Sequence, residues 1–276
     1  MHYDQVLSRE LQKEFPGVQG FSTRSRADIE AFKEAVAVHH RKRGDWLHCM
    51  CWGEEAVIIY RGRRKLANLT SHHGLRIRTS LWCSDAELVD SEKWIRWFEE
   101  RGMPQLRENA NQAANDRKQR EEDYARWMAA MPKSLAPLWE YEKDPQIYVV
   151  LGSDVKSFYE ALQKEFSDPR EQALALFGWY GSGRECWSGG SYGSVPAELL
   201  LEIPTPILIE AAQSPDLTPA QTEGAARLFG GWAFSKQRPT DLETLPADLK
   251  AKLLAHSLES TNEDNKERAR SAFENP

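Results

Sequence analysis

The sequence predicts an α+β fold: N-terminal helices packed on a four-stranded antiparallel meander, a long connecting helix, and an all-helical C-terminal domain of short antiparallel helices. Three observations carry this. Residues 45–83 switch from helical spacing to short apolar runs separated by glycine-bearing turns. Residues 104–131 are an unbroken polar stretch in which apolar residues recur at three- and four-residue steps. The C-terminal half is punctuated by Asp-Pro and Thr-Pro pairs, which mark the starts of short helices. The expected divisions are an α+β domain with a basic β-meander at 1–102, a long polar connecting helix at 103–132, and a helical domain at 133–276. The last of these is solenoid-like and ends in a polar tail.

The first forty residues read as two helices. Val6, Leu7, Leu11 and Phe15 line one face of the first. Ser25 with Asp28 makes a capping pattern for the second, whose stripe is Ile29, Phe32, Ala35 and Val36. The basic run Arg41–Arg43 suits its C-terminal dipole, and Gly44 is placed to stop it. Four strands follow, from DWLHCMCW, AVIIY, KLANLT and LRIRTSLW, with turns at Gly53-Glu54, Arg61-Gly62-Arg63 and Ser71-His72-His73-Gly74. In the last strand Leu75, Ile77, Thr79 and Leu81 share one face, and Arg76, Arg78, Ser80 and Trp82 share the other. A helix capped near Ser91 carries Trp94, Ile95, Trp97 and Phe98 and closes at Gly102.

In the connecting helix the apolar stripe fails around 115–123, which suits a helix packed at its two ends rather than a coiled coil. IYVVLG adds one strand. Short helices then begin at Asp168-Pro169, Ser194, Thr205-Pro206, Thr218-Pro219 and Pro246. Each Thr places a capping oxygen before a proline, and Thr218 with Gln221 makes a capping box. The tail from Ser260 is a last helix or partly disordered.

Charge is unevenly spread. Residues 39–82 hold nine Lys/Arg, three Asp/Glu and five of the seven histidines, in a chain whose net charge is −6. From residue 134 onward there are 13 basic and 22 acidic residues. No run approaches the length of a membrane span. The polar N-terminus and four scattered cysteines point to a reducing, cytoplasmic setting without a disulfide framework. Ten tryptophans lie between Trp46 and Trp232; helical spacing predicts burial for several and leaves a minority for a binding surface.

The main candidate contact surface is the basic sheet face: Arg61, Arg63, Arg64, Lys65, Arg76 and Arg78 with Trp82. Guanidinium groups pair bidentately with carboxylate or phosphate, and an aromatic ring stacks on a side chain or base. The bland alternative is a solvated face whose cations guard edge strands. The glycine- and serine-rich segment 181–194 lacks the order of a phosphate-binding P-loop, and its contact candidates are Arg184 and Trp187. Cys49, Cys51 and Cys83 with His48, His72 and His73 lack the ligand-pair spacing of structural zinc, so buried sheet cysteines are expected and no metal. His72 and His73 read as a surface turn.

No motif is specific enough to name a reaction or a cofactor. The leading expectation is a non-enzymatic cytoplasmic protein-binding module, acting as adaptor, regulator or neutraliser of a toxic partner. It uses charged surfaces and needs no membrane, and the basic face could also join copies of the chain into a homo-oligomer. The first alternative is a nucleic-acid-associated factor binding through residues 61–82; chain-wide acidity weighs against it. The second is an enzyme with a site near the 181–194 loop and His72/His73.

Overall fold

The computed structural model describes residues 21–39, 51, 53–82, 84–139, 155–183 and 194–274, with the backbone of Gln5 and Val6. The fold is α+β with a helical C-terminal part, and the chain divides into two units, residues 1–119 and 120–276.

In the first unit, strands β1 (Gln5–Val6), β2 (Ala56–Arg61), β3 (Arg64–His72), β4 (Arg76–Thr79) and β5 (Ala86–Glu87) pair antiparallel in sequence order. Gln5 and Val6 lie opposite Tyr60 and Ile59, which corrects the helix expected from Val6. The free side of β2 offers a β-branched residue a ladder partner that a local helical stripe does not. The rest of that expected helix, the strand expected at 45–52 apart from Cys51, and the strand expected from IYVVLG lie outside the described residues.

Helix α1 (Arg26–Ala35) begins as expected, with the Ser25 hydroxyl accepting from the Asp28 amide. It ends at Val36, well before Gly44. The two valines there are better suited to extended backbone. Val38 bridges Leu88, the Val89 amide donates to the Ala37 carbonyl at 2.8 Å, and the His39 amide donates to the Glu87 carbonyl at 2.9 Å. Arg41–Arg43 lie outside the described residues.

Helix α2 (Ser91–Glu99) is capped by Asp90, one residue before the expected Ser91. Its Trp94, Ile95, Trp97 and Phe98 pack with Phe32 and Ala35 of α1 on Val57, Leu69 and Ile77 of the sheet. Phe32 meets Trp97 edge-on at 5.4 Å, and the Trp94 indole donates to the buried Ser71 hydroxyl at 3.1 Å. Burial of that indole without a partner would be costly, so the bond fixes which way α2 rotates on the sheet. Arg101 sits 4.3 Å over the Trp97 ring and donates to Asp28 at 2.6 Å, tying the end of α2 to the start of α1.

Helix α3 (Gln105–Ala130) runs 26 residues, with Leu106 buried near its start and Trp127 near its end. Its polar middle is largely exposed, as the broken stripe implies.

The second unit adds α4 (Val155–Glu165), α5 (Pro169–Ser182), α6 (Ser194–Leu201), α7 (Thr205–Ala212), α8 (Pro219–Gly230), α9 (Trp232–Gln237), α10 (Pro239–Glu243), α11 (Ala247–Leu258) and α12 (Glu263–Phe273). Its core includes Trp127, Leu176, Phe177, Trp179, Leu199, Leu208, Phe229 and Leu253. The Asp168 and Thr218 caps form as expected, Thr218 in a complete capping box. Thr205 does not cap: Pro204 takes that position, and the Thr205 hydroxyl instead meets Asp241 at 2.5 Å and accepts from Arg238 at 2.9 Å. A tertiary partner has displaced the local one. Helices α5 and α8 approach closely enough that a Cβ on Gly181 would fall on the Ala220 carbonyl, and one on Gly224 on the Phe177 carbonyl. Among the described residues no helix is long and apolar enough to cross a membrane.

Candidate functional site

The β2–β3 hairpin turns through Gly62 at φ 59°, a backbone conformation that glycine adopts without a Cβ clash. This turn places Arg61 directly opposite Arg64. Arg63 occupies the turn and Lys65 follows, so four of the five residues from 61 to 65 are cationic. All four side chains are exposed, and among the described residues none of them forms an ion pair. Like charges directly opposite on an antiparallel pair destabilise it. β2 and β3 are inner strands by order, but β4 covers β3 only at Leu69–His72, so Arg64 and Lys65 stand on an uncovered stretch where cations also guard the edge.

A cleft of about 760 Å³ opens along β3 from this hairpin, lined among others by Lys65, Asn68, Thr70, Arg78 and Trp82. It forms because β4 stops at Thr79, earlier than the sequence pattern suggests. The Trp82 amide folds back onto the Thr79 carbonyl at 3.2 Å, and the chain turns out of the sheet. Leu81 therefore does not join Ile77 and Thr79 in the core: it is 66% exposed, and Trp82 is 42% exposed. An aromatic and an aliphatic side chain thus stand in solvent beside the basic hairpin.

The remaining basic candidates behave differently. Arg78 clamps Asp85 through two hydrogen bonds of 2.6 and 2.9 Å and donates to the Cys51 carbonyl at 3.3 Å. Asp85 is fully buried, so the guanidinium is held inward as a structural counter-ion and the stripe loses a free cation. Arg76 is half-buried, between His72 on β3 and Glu87 on β5 in the ladder register. The four cations of residues 61–65 and Trp82 thus remain as the accessible set.

The expected surface turn at His72-His73 is half correct. His73 is exposed at φ 56°, while His72 closes β3 as a buried residue whose Nδ1 lies 2.9 Å from Cys51 Sγ. Cys49 and Cys83 lie outside the described residues. Glu54 and Glu55, just before β2, are both held above the usual carboxylate range by burial. Backbone donors from His73 and Gly74 partly offset this at Glu54; at Glu55 the neighbouring Glu54 charge adds to it.

The second unit carries a polar cleft of about 700 Å³, lined among others by Ser182, Gly183, Glu223, Arg227 and His256. Arg227 is buried, donates to Glu223 at 2.7 Å and caps the carbonyls of Tyr180 and Gly183. His256 meets the other Glu223 oxygen at 2.8 Å. These groups satisfy one another and anchor the end of α5. Arg184 and Trp187 lie outside the described residues.

Sequence reasoning missed Asp85 and Asn68. Neither has a local signal: Asp85 looks like a turn residue, and Asn68 like a solvent-facing strand position. The i, i+4 spacing of Glu223 and Arg227 was legible as a helical pair, but their burial was not. Comparison with protein-family models, with curated proteins and with solved structures gives no match.

Proposed function

We propose that the chain is a non-enzymatic protein-binding module, an adaptor, regulator or neutraliser, that engages an acidic partner through the hairpin and cleft of its first unit. The observation that carries this is the Arg61/Arg64 cross-strand pair, extended by Arg63 and Lys65, with no ion pair to any of the four among the described residues. Such a patch repels itself in the free protein, and an opposing acidic surface relieves that repulsion as it docks. Leu81 and Trp82 supply the apolar anchor that protein interfaces use, with tryptophan a frequent hot spot. A net charge of −6 makes long-range attraction to nucleic acid the weaker match.

The test is affinity capture of tagged chain from its host, with and without nuclease, beside the variant Arg63→Ala/Arg64→Ala. A stoichiometric protein that survives nuclease and is lost in the variant is the expected result. Recovery of nucleic acid, or of proteins released by nuclease, would replace this reading with nucleic-acid binding. Capture unaffected by the variant would move the contact off the hairpin.

A further inference from the structure

The cleft beside β3 has a backbone floor as well as charged side chains. β3 spans Arg64–His72, yet β4 pairs only with Leu69–His72. Ladder parity decides which groups face the gap. The Ser71 amide donates to Glu55 and its carbonyl accepts from Glu54, at 2.8 and 2.9 Å, so Ser71 faces β2. Successive residues of an antiparallel strand direct their backbone groups to alternate sides. Leu69 and Ala67 therefore also face β2, while Thr70 and Asn68 face the β4 side. Thr70 lies opposite Arg78. Asn68 is the next position out, and among the described residues no strand pairs with it on the β4 side. Among the described residues its buried side-chain Oδ1 has no hydrogen-bond partner, and Asn68 lines the same cleft. A buried carbonyl oxygen without a donor is costly to leave unmet.

We infer that this notch accepts an extended acidic segment of the partner protein, added to β3 as a short strand in line with β4. The inference rests on the protein-binding reading and specifies the chemistry of the segment. An added strand would accept the Asn68 main-chain N–H, in the manner of peptides that extend an exposed sheet edge. A donor from the segment would satisfy Asn68 Oδ1. From Asn68 toward the turn the segment runs past Lys65 and Arg64 to Arg63 and Arg61, so its carboxylates meet four cations that form no ion pair among the described residues. An apolar residue at its other end would rest on Trp82, which shares the cleft with Lys65 and Asn68. The commitment to an acidic partner follows from this charge complementarity.

The experiment uses the full chain and a synthetic acetylated peptide of alternating glutamate and valine. Two versions, N-methylated at the odd or at the even positions, keep its charge and remove alternate main-chain donors. Calorimetry measures affinity, and amide exchange reads the Asn68 amide. The expected result is saturable one-to-one binding with new protection at Asn68. One methylated version should lose about tenfold in affinity while the other keeps it, and Arg63→Ala/Arg64→Ala should weaken all three peptides. Equal affinities for all three would overturn strand addition while leaving the protein-binding reading intact. Absence of peptide binding would overturn the acidic-strand inference, and the captured partner of the preceding section would still judge the broader reading. Protection of Asn68 by self-association without peptide would assign the notch to a second copy and overturn it as well.

Discussion

Replacing Arg78 with methionine is the sharpest test of the distinction between a structural and a contact arginine. Arg78 holds Asp85 through paired bonds of 2.6 and 2.9 Å, and the Asp85 side chain is 0% exposed. Methionine keeps much of the side-chain length and removes the charge, leaving that carboxylate buried without its guanidinium. Breaking a buried pair on one side costs about 3–5 kcal/mol, and loss of the bond to the Cys51 carbonyl adds about 1 kcal/mol. The double variant Arg78→Met/Asp85→Asn removes the buried charge that Arg78 balanced and should recover more than half of the loss. Urea unfolding of the parent, Arg78→Met, Asp85→Asn and the double variant gives the coupling energy, and amide exchange at Leu69 and Ile77 localises the loss to the sheet. A cost for Arg78→Met near the roughly 1 kcal/mol ceiling of exposed pairs, or a double variant no better than the single, would refute the structural assignment. It would return Arg78 to the contact surface.

Other consequences are open to direct measurement. Gly224→Ala should destabilise the second unit by about 3 kcal/mol, because the new methyl falls on the Phe177 carbonyl; an unchanged melting temperature would contradict the close α5–α8 approach. Burial raises the Glu55 carboxyl above its unfolded value, so the folded state holds its proton more tightly. Its contribution therefore favours folding in acid and is lost as pH rises from the ordinary glutamate range through the raised value. Glu55→Gln should accordingly be more stable than the parent at neutral pH and should converge with it near pH 4; a constant difference across that range would exclude the burial effect. Thr218→Ala removes the capping box of α8 and should cost about 1 kcal/mol, read by chemical denaturation, with Thr218→Ser retaining most of the stability.

Local chemistry accounts for what the sequence determined by itself. Ser25, Asp168 and Thr218 cap helices because each oxygen lies within three residues of the amide it accepts from. Trp94, Ile95, Trp97 and Phe98 face the core because helical spacing puts them on one stripe, and Gly62 turns the hairpin because its φ is positive. The α+β class, the 26-residue helix and the basic hairpin at 61–65 follow from such short-range rules. Tertiary structure decided the rest wherever two groups distant in sequence competed with a local partner. Val38 left the helical pattern for Leu88, and Thr205 left its cap for Asp241. Arg78 left the basic stripe for Asp85, seven residues away and across a change in chain direction. The gap beside Asn68 exists only because β4 ends one pair too early to cover it. A periodicity of two gives the face on which a residue stands; it carries no information on where the neighbouring strand stops, and that end point is what opens the cleft.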